Sequence, residues 1–279
     1  MAAAGTLARR PSRAGKSRHA GMSLHAVTVR EVRRLTPRLV RITLAAPSLR
    51  GFRDDGPDQR LKLMLPLAGQ RRPVLPDPDD WYGSWQAMPA HVRPVLRTYT
   101  VRSARPELGE LDVDMVLHGD EGPASAWAAR AAVGDEVGIY GAYGEHEVPE
   151  GTDWQLLVAD HTALPAVAAV LERADPGQRL LALIEVPDAG EQLPLAVPAG
   201  AEVRWLHTVP GRPGAALTEA VAGAQLPEGA GYAWVCADAR TAGAVRRQLV
   251  GERGLAPDAV MFMGYWRTDG PVDGPALRG

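Results

Sequence analysis

The residues best equipped for chemistry begin at Arg97-Thr98-Tyr99-Thr100-Val101-Arg102. In an extended strand Arg97, Tyr99 and Val101 face one way, and Thr98, Thr100 and Arg102 the other. Tyr99 offers an aromatic surface to a flat ring and a hydroxyl that can donate to a ribityl or phosphate oxygen. Arg97 can pair bidentately with a phosphate. Thr100 can reach a ring's polar edge through backbone or hydroxyl. On composition alone the segment is equally an ordinary amphipathic strand with surface arginines. A second candidate spans residues 118–127. There His118 and a Gly-Asp-Glu-Gly turn run into Pro123-Ala124-Ser125-Ala126-Trp127. Small residues let backbone amides approach an anion, and the dipole at a helix start favours negative charge. The plainer alternative is a β-to-α connection with a packed Trp127.

The elements that must position these residues fall into two kinds. Residues 26–44 are rich in Val, Thr, Ile and Leu and break at Thr36-Pro37. Short strands follow over 61–65, 96–103, 111–118 and 135–140. In the third of these Val113, Met115 and Leu117 share one face, and Asp112 and Asp114 the other. A proline-rich stretch, residues 67–95, reads as a long surface loop. One helix is expected over about 123–132, with Pro123 in its first turn. Short strands with a single helix predict a small antiparallel barrel of six strands. From about residue 150 strands over 154–160, 180–186, 202–207, 232–237 and 260–266 alternate with helices over 162–174, 215–224 and 241–254. That alternation predicts a parallel sheet with covered faces.

Composition sets the bounds. The 279 residues suffice for two modest domains, and no apolar run reaches the ~20 residues of a membrane span. A single cysteine, Cys236, excludes an intramolecular disulfide framework and fits a reducing cytoplasm. Residues 1–22 carry five cations (Arg9, Arg10, Arg13, Lys16, Arg18) and no acid, so the rest holds a net −7 against the chain's −2. This tail has no apolar period and is expected to be disordered. Lys62 is the only lysine beyond it.

Taken in order, Arg-x-Tyr-Thr-x-Arg, an alternating strand ending in His, and Gly-Pro-Ala-Ser-x-Trp-Ala resemble the siderophore-interacting proteins of the ferredoxin–NADP reductase superfamily. The resemblance continues through Gly134-Asp135-Glu136-Val137, Thr162-Ala163-Leu164-Pro165-Ala166 and Gly264-Tyr265-Trp266-Arg267, and so covers about residues 24–270. It implies an FAD-binding barrel over 23–149 and an NAD(P)H-binding, Rossmann-like α/β domain over 150–279. It implies a cytoplasmic enzyme that reduces ferric siderophores and releases iron(II), with flavin rather than an acid–base pair supplying the chemistry. Arg97, Thr98, Tyr99 and Thr100 would hold the flavin ring and ribityl phosphate. His118, Gly122, Pro123, Ala124, Ser125 and Trp127 would line the pyrophosphate and adenine side. Asp160, Thr162 and Ala163 would lie where nicotinamide meets flavin, and Lys62 and Arg267 would meet the anionic ferric siderophore. A monomer is expected, with no metal site, nucleic acid or membrane span.

Three departures stand out. The family's Gly-Pro-Arg-Gly-Ser turn is Gly141-Ala142-Tyr143-Gly144-Glu145, which favours an aromatic or less charged chelate. Its Gly-Asp-Glu-Thr is Ala159-Asp160-His161-Thr162, and a later Gly-Glu is Ala237-Asp238. The last two touch the nicotinamide side. They keep open a reading with reduced ferredoxin as electron donor, and another in which the protein binds chelate or flavin without catalysis.

Overall fold

A computed structural model describes residues 23–119, 122–144 and 146–267, with positions 142 and 143 described by backbone alone. The expected disordered tail, the side chain of Tyr143, and Glu145 lie outside the described residues. In chain order the elements are β1 (Leu24–Thr36), β2 (Leu39–Ala45), β3 (Arg60–Leu65), α1 (Trp81–Ala87), β4 (Val95–Thr100), β5 (Ser103–Arg105), β6 (Glu110–Val116), α2 (Pro123–Arg130) and β7 (Glu136–Tyr143). Then come β8 (Trp154–Asp160), α3 (Leu164–Arg173), β9 (Arg179–Val186), β10 (Ala201–His207), α4 (Ala215–Gly223), β11 (Gly231–Asp238), α5 (Ala239–Gly251) and β12 (Val260–Trp266).

The first seven strands form one antiparallel sheet in the order β4-β3-β7-β1-β2-β6-β5. Its two edge strands, β4 and β5, are consecutive in the chain and separated by only Val101 and Arg102. The sheet must therefore curl until its edges meet. Val101 N donates to Gln59 O (2.7 Å) and Arg102 N to Asp112 O (2.9 Å), carrying the chain from β3 across to β6. Counted as one bent strand, β4–β5 makes the ring six-stranded. The strand expected over 96–103 is thus broken: at Val101–Arg102 the chain changes its backbone partner from the β3 side to β6. No ladder joins β4 to β6 among the described residues.

Inside the ring the period-2 pattern of β6 puts Leu111, Val113 and Met115 in an apolar core with Leu61, Leu63, Ile139 and Trp127. Its polar face is also buried but satisfied. Asp114 accepts from Arg41 (2.6 and 2.7 Å), and Asp112 from Thr43 (2.7 Å) and Arg105 (2.8 Å twice). Burial disfavours ionising Asp112, but Arg105 and Thr43 outweigh it and hold its carboxyl below the usual carboxylate range. The loop over 67–94 is not wholly irregular: it contains α1, capped by Asp80 accepting from Gly83 N (3.2 Å).

The second sheet is parallel, ordered β10-β9-β8-β11-β12. The chain leaves β8 in one direction for β9 and β10 and returns to its other side for β11, so a topological switch point lies between β8 and β11. Helix α3 is buried from Leu164 to Leu171. It packs on this sheet and shares an apolar cluster with Leu39, while Leu35 and Val116 of the barrel close over it. Its C-terminal end is tied to the barrel by Arg102–Glu172 and by a two-point Arg173–Asp54 pair (2.8 and 2.6 Å). Exposed pairs of this kind contribute little, so the shared apolar cluster holds the two units together. Among the described residues no helix is long and apolar enough to cross a membrane.

Candidate functional site

Strand β4 is built into the ring on one side only. In its ladder with β3, Thr98 lies opposite Lys62, Tyr99 opposite Leu61, and Thr100 opposite Arg60. Tyr99 and Val101 are on the core side, Tyr99 half-buried against the barrel interior. Lys62 Nζ donates to Thr98 Oγ1 at 2.6 Å, so two of the expected site residues meet directly. Arg97 Nη1 donates to Leu96 O (2.7 Å). Thr100 is buried, and its partner Arg60 contacts the sulfur of Met263 on β12. The strand therefore runs from a part-exposed stretch at Thr98 to the seam between the two units at Thr100.

Lys62 also lies opposite Tyr140 on β7. Trp81 of α1 stacks on Tyr140 with ring centroids 4.3 Å apart and planes at 27°. Tyr82 stacks in turn on Trp85 (5.8 Å, 20°), and the Arg93 guanidinium sits 5.5 Å over Trp85. The proline-rich segment so brings an aromatic wall beside Lys62. Tyr140 was not legible as a site residue, because its nearness to Lys62 is a register relation between residues 78 positions apart.

The β6–α2 connection is the second part. Ser125, 1% exposed, accepts from His118 N (2.9 Å) and donates to Gly119 O (2.8 Å). Its hydroxyl is thereby committed to the loop, and what remains for a ligand is the backbone at the start of α2. A Cβ at Gly122 would lie 2.5 Å from His118 Cε1, so only glycine lets that imidazole rest against the helix N-terminus. Pro123 occupies the first turn, as expected. Ala124 and Trp127 face inward, Trp127 (3% exposed) plugging the barrel core. An edge strand with an arginine, a part-exposed tyrosine, and a glycine cradle at a helix start suits an isoalloxazine joined to a diphosphate.

The third part is the edge of the parallel sheet. Asp160 ends β8, and its carboxylate accepts from Thr162 N (2.9 Å), Thr162 Oγ1 (2.5 Å), Asp238 N (2.8 Å) and Trp266 Nε1 (2.7 Å). Burial pushes this carboxyl up against the pull of those donors. It ties the ends of β8, β11 and β12 together at the switch point. Thr162 is used up in this tie, and Ala163 is fully buried as the cap of α3. Arg267 follows β12 and is exposed. Two further carboxylates act alike: Glu185 accepts from Gly214 N (2.9 Å) and Leu217 N (3.3 Å) at the start of α4. Asp238 accepts from Arg240 N (3.1 Å) and Thr241 N (2.8 Å) at the start of α5. Sequence reading missed Glu185, since its partner helix begins 30 residues later.

Comparison with known proteins identifies the family. The family described as "Siderophore-interacting FAD-binding domain" matches residues 28–146, and "Siderophore-interacting protein" matches residues 152–269. The chain is 30% identical to the ferric vibriobactin reductase ViuB of Vibrio cholerae over 82% of its own length and 84% of ViuB. It is 30% identical to an NADPH-dependent ferric-chelate reductase of Escherichia coli, covering 87% and 92% of the two chains. A siderophore utilization protein from T. fusca has the same fold, with a TM-score of 0.78 and 33% identity over 90% of this chain and 96% of that one. The chain belongs to the siderophore-interacting protein family and carries that family's FAD-binding domain.

Proposed function

We propose that this protein is a cytoplasmic, FAD-dependent ferric-siderophore reductase that moves electrons from NAD(P)H through flavin to an iron(III) chelate. Residues 23–149 would hold FAD and residues 150–279 the electron donor. The observation that carries the reading is Lys62, set between Thr98 of the flavin strand and Tyr140 of the aromatic wall. A cation there attracts an anionic chelate to the edge of the ring, and the wall offers its organic part an apolar surface. FAD held there would supply the redox chemistry, hydride acceptance from the donor and single-electron delivery to two ferric ions. The chain's own residues orient and charge the site: Arg97 and the α2 start bind phosphate, Tyr99 and Thr100 place the ring, and Lys62 and Arg267 receive the chelate. The relatives from Vibrio cholerae and Escherichia coli, named as ferric vibriobactin and ferric-chelate reductases, support the same chemistry.

The purified protein should be yellow. Under anaerobic conditions NADPH or NADH should bleach the flavin, and a ferric catecholate or hydroxamate should restore its absorbance while iron(II) appears. A protein that takes up no flavin on reconstitution refutes the reading. A second reading keeps flavin and chelate but takes electrons from reduced ferredoxin. The carboxylates already seated at the starts of α4 and α5 and before α3 favour it, because they stand where a Rossmann-like sheet receives a dinucleotide pyrophosphate. Flavin bleached by reduced ferredoxin and not by either nicotinamide would select it.

A further inference from the structure

The aromatic wall beside Lys62 lies on the outer face of the barrel. Side chains alternate along β7, so Val137 and Ile139 enter the core while Gly138 and Tyr140 face outward. On β3 Met64 lies opposite Gly138, and Lys62 opposite Tyr140. Leu75 rests over Gly138, where a Cβ would collide with its Cδ2, and Pro73 and Pro76 beside it are buried. The proline-rich segment is thus seated on the barrel before α1 begins. Helix α1 then buries none of its seven residues. Its three rings still form one array with Tyr140. Trp81 stacks on Tyr140 and meets Tyr82 edge-on (5.3 Å, 64°), and Tyr82 stacks on Trp85. Trp85 Nε1 donates to Pro94 O (3.0 Å), which fixes the far end. Four part-exposed rings, mutually oriented and set beside a cation, have the make-up of a recognition surface for a small molecule.

The charges around the rings decide what they select. Lys62 supplies one positive charge at the wall's edge. Beyond it the flanking charges do not favour an anion. Arg93 donates Nε and Nη2 to Met88 O (3.0 and 2.7 Å) while it covers Trp85. Asp77, Asp79 and Asp80, all exposed, immediately precede α1. A highly charged anion therefore gains little here, and discrimination falls to the rings. An aryl group bonded through oxygen to iron(III) is drained of electron density, and such a ring stacks well on the electron-rich faces of indole and phenol. We propose that the wall selects ferric chelates that carry an aromatic ring next to their iron-binding oxygens, with Trp81 and Tyr140 as the specificity-determining residues. The inference rests on the reductase reading above and names the class of chelate its site prefers.

Redox-inert gallium(III) in place of iron(III) separates binding from electron transfer. The FAD-loaded full-length protein is titrated with the gallium(III) complexes of benzohydroxamate and of acetohydroxamate, each formed in excess ligand, with metal-free ligand as the blank. Both complexes are neutral with three ligands and share their donor atoms, so they differ in the ring alone. The benzohydroxamate complex should bind about fivefold more tightly or better. Trp81→Leu keeps an apolar surface but removes the ring, and should bring the two affinities together. Trp81→Phe keeps a ring against Tyr140 and should retain most of the difference. Equal affinities in the unsubstituted protein overturn the proposal, as does a preference that survives Trp81→Leu. The reductase reading is judged separately, by flavin reoxidation with the ferric complexes of the same two ligands. If neither reoxidises the flavin, that reading fails while the gallium comparison still decides whether the wall selects aromatic chelates.

Discussion

Substituting Gly122 by alanine tests whether the start of α2 is a cradle shaped around His118. The backbone there (φ −101°, ψ 124°) accepts any residue, so the perturbation is steric. The new Cβ would sit 2.5 Å from His118 Cε1 and 3.0 Å from its Nε2. Carbon atoms rest about 3.5 Å apart, so the ring must retreat by roughly 1 Å. The imidazole is exposed and can swing, which keeps the folding cost to that of a poorer cap, about 0.5–1 kcal/mol. In a chain of this size that lowers Tm by roughly 2–4 °C. The larger effect falls on the ligand, because the displaced ring stands over the amides that would receive phosphate. FAD affinity should fall about tenfold, or ~1.4 kcal/mol. Flavin fluorescence quenching in the flavin-free chain measures it, and thermal unfolding without FAD measures the folding part. The decisive comparison is Gly122→Ala made in a His118→Ala background, where the conflict is gone and the second change should add little. If the alanine weakens FAD equally in both backgrounds, the glycine is not making room for His118 and the reasoning fails.

Two further outcomes follow from the site. Tyr99→Ala should release FAD or shift its absorbance spectrum, whereas Lys62→Ala should leave FAD content unchanged and raise KM for the ferric chelate by about tenfold. Unchanged flavin in the Tyr99 variant would remove the ring from β4. The third concerns pH. Burial pushes the His161 imidazole below its usual value; Glu191 and Asp188 oppose this, and Arg38 adds to it. The folded state then binds this proton less readily than the unfolded chain. Stability is therefore full above the unfolded pKa of about 6.5 and is lost as pH falls through it toward the depressed folded value. Urea unfolding at about pH 7.5 and 5.5 should show a smaller loss for His161→Gln than for wild type; equal losses would place the titration elsewhere.

How far the sequence reaches can be judged element by element. The alternation of Leu111, Val113 and Met115 with Asp112 and Asp114 gave both the strand and its inward face, because side-chain direction in a strand has a period of two and needs no distant partner. Pro123 marked the helix start for a similarly local reason. The change from short strands to alternating strands and helices near residue 150 separated an antiparallel from a parallel sheet, since crossover length alone distinguishes them. The ordered motifs fixed the family, as the matches over 28–146 and 152–269 show. Other features depend on pairs far apart in the chain. The break at Val101–Arg102 exists because a curled sheet must hand its edge from β3 to β6. Helix α1 folds inside a proline-rich stretch because Trp81 finds Tyr140. The β1–β2 turn docks on Glu191, 153 positions beyond Arg38, and so brings Arg34 and Arg38 beside His161. By itself the sequence determined periodicity, capping and kinship, which are properties of neighbours along the chain. Tertiary structure decided which charges share a cleft, because loop closure between distant segments is governed by packing of the whole and leaves no local signature.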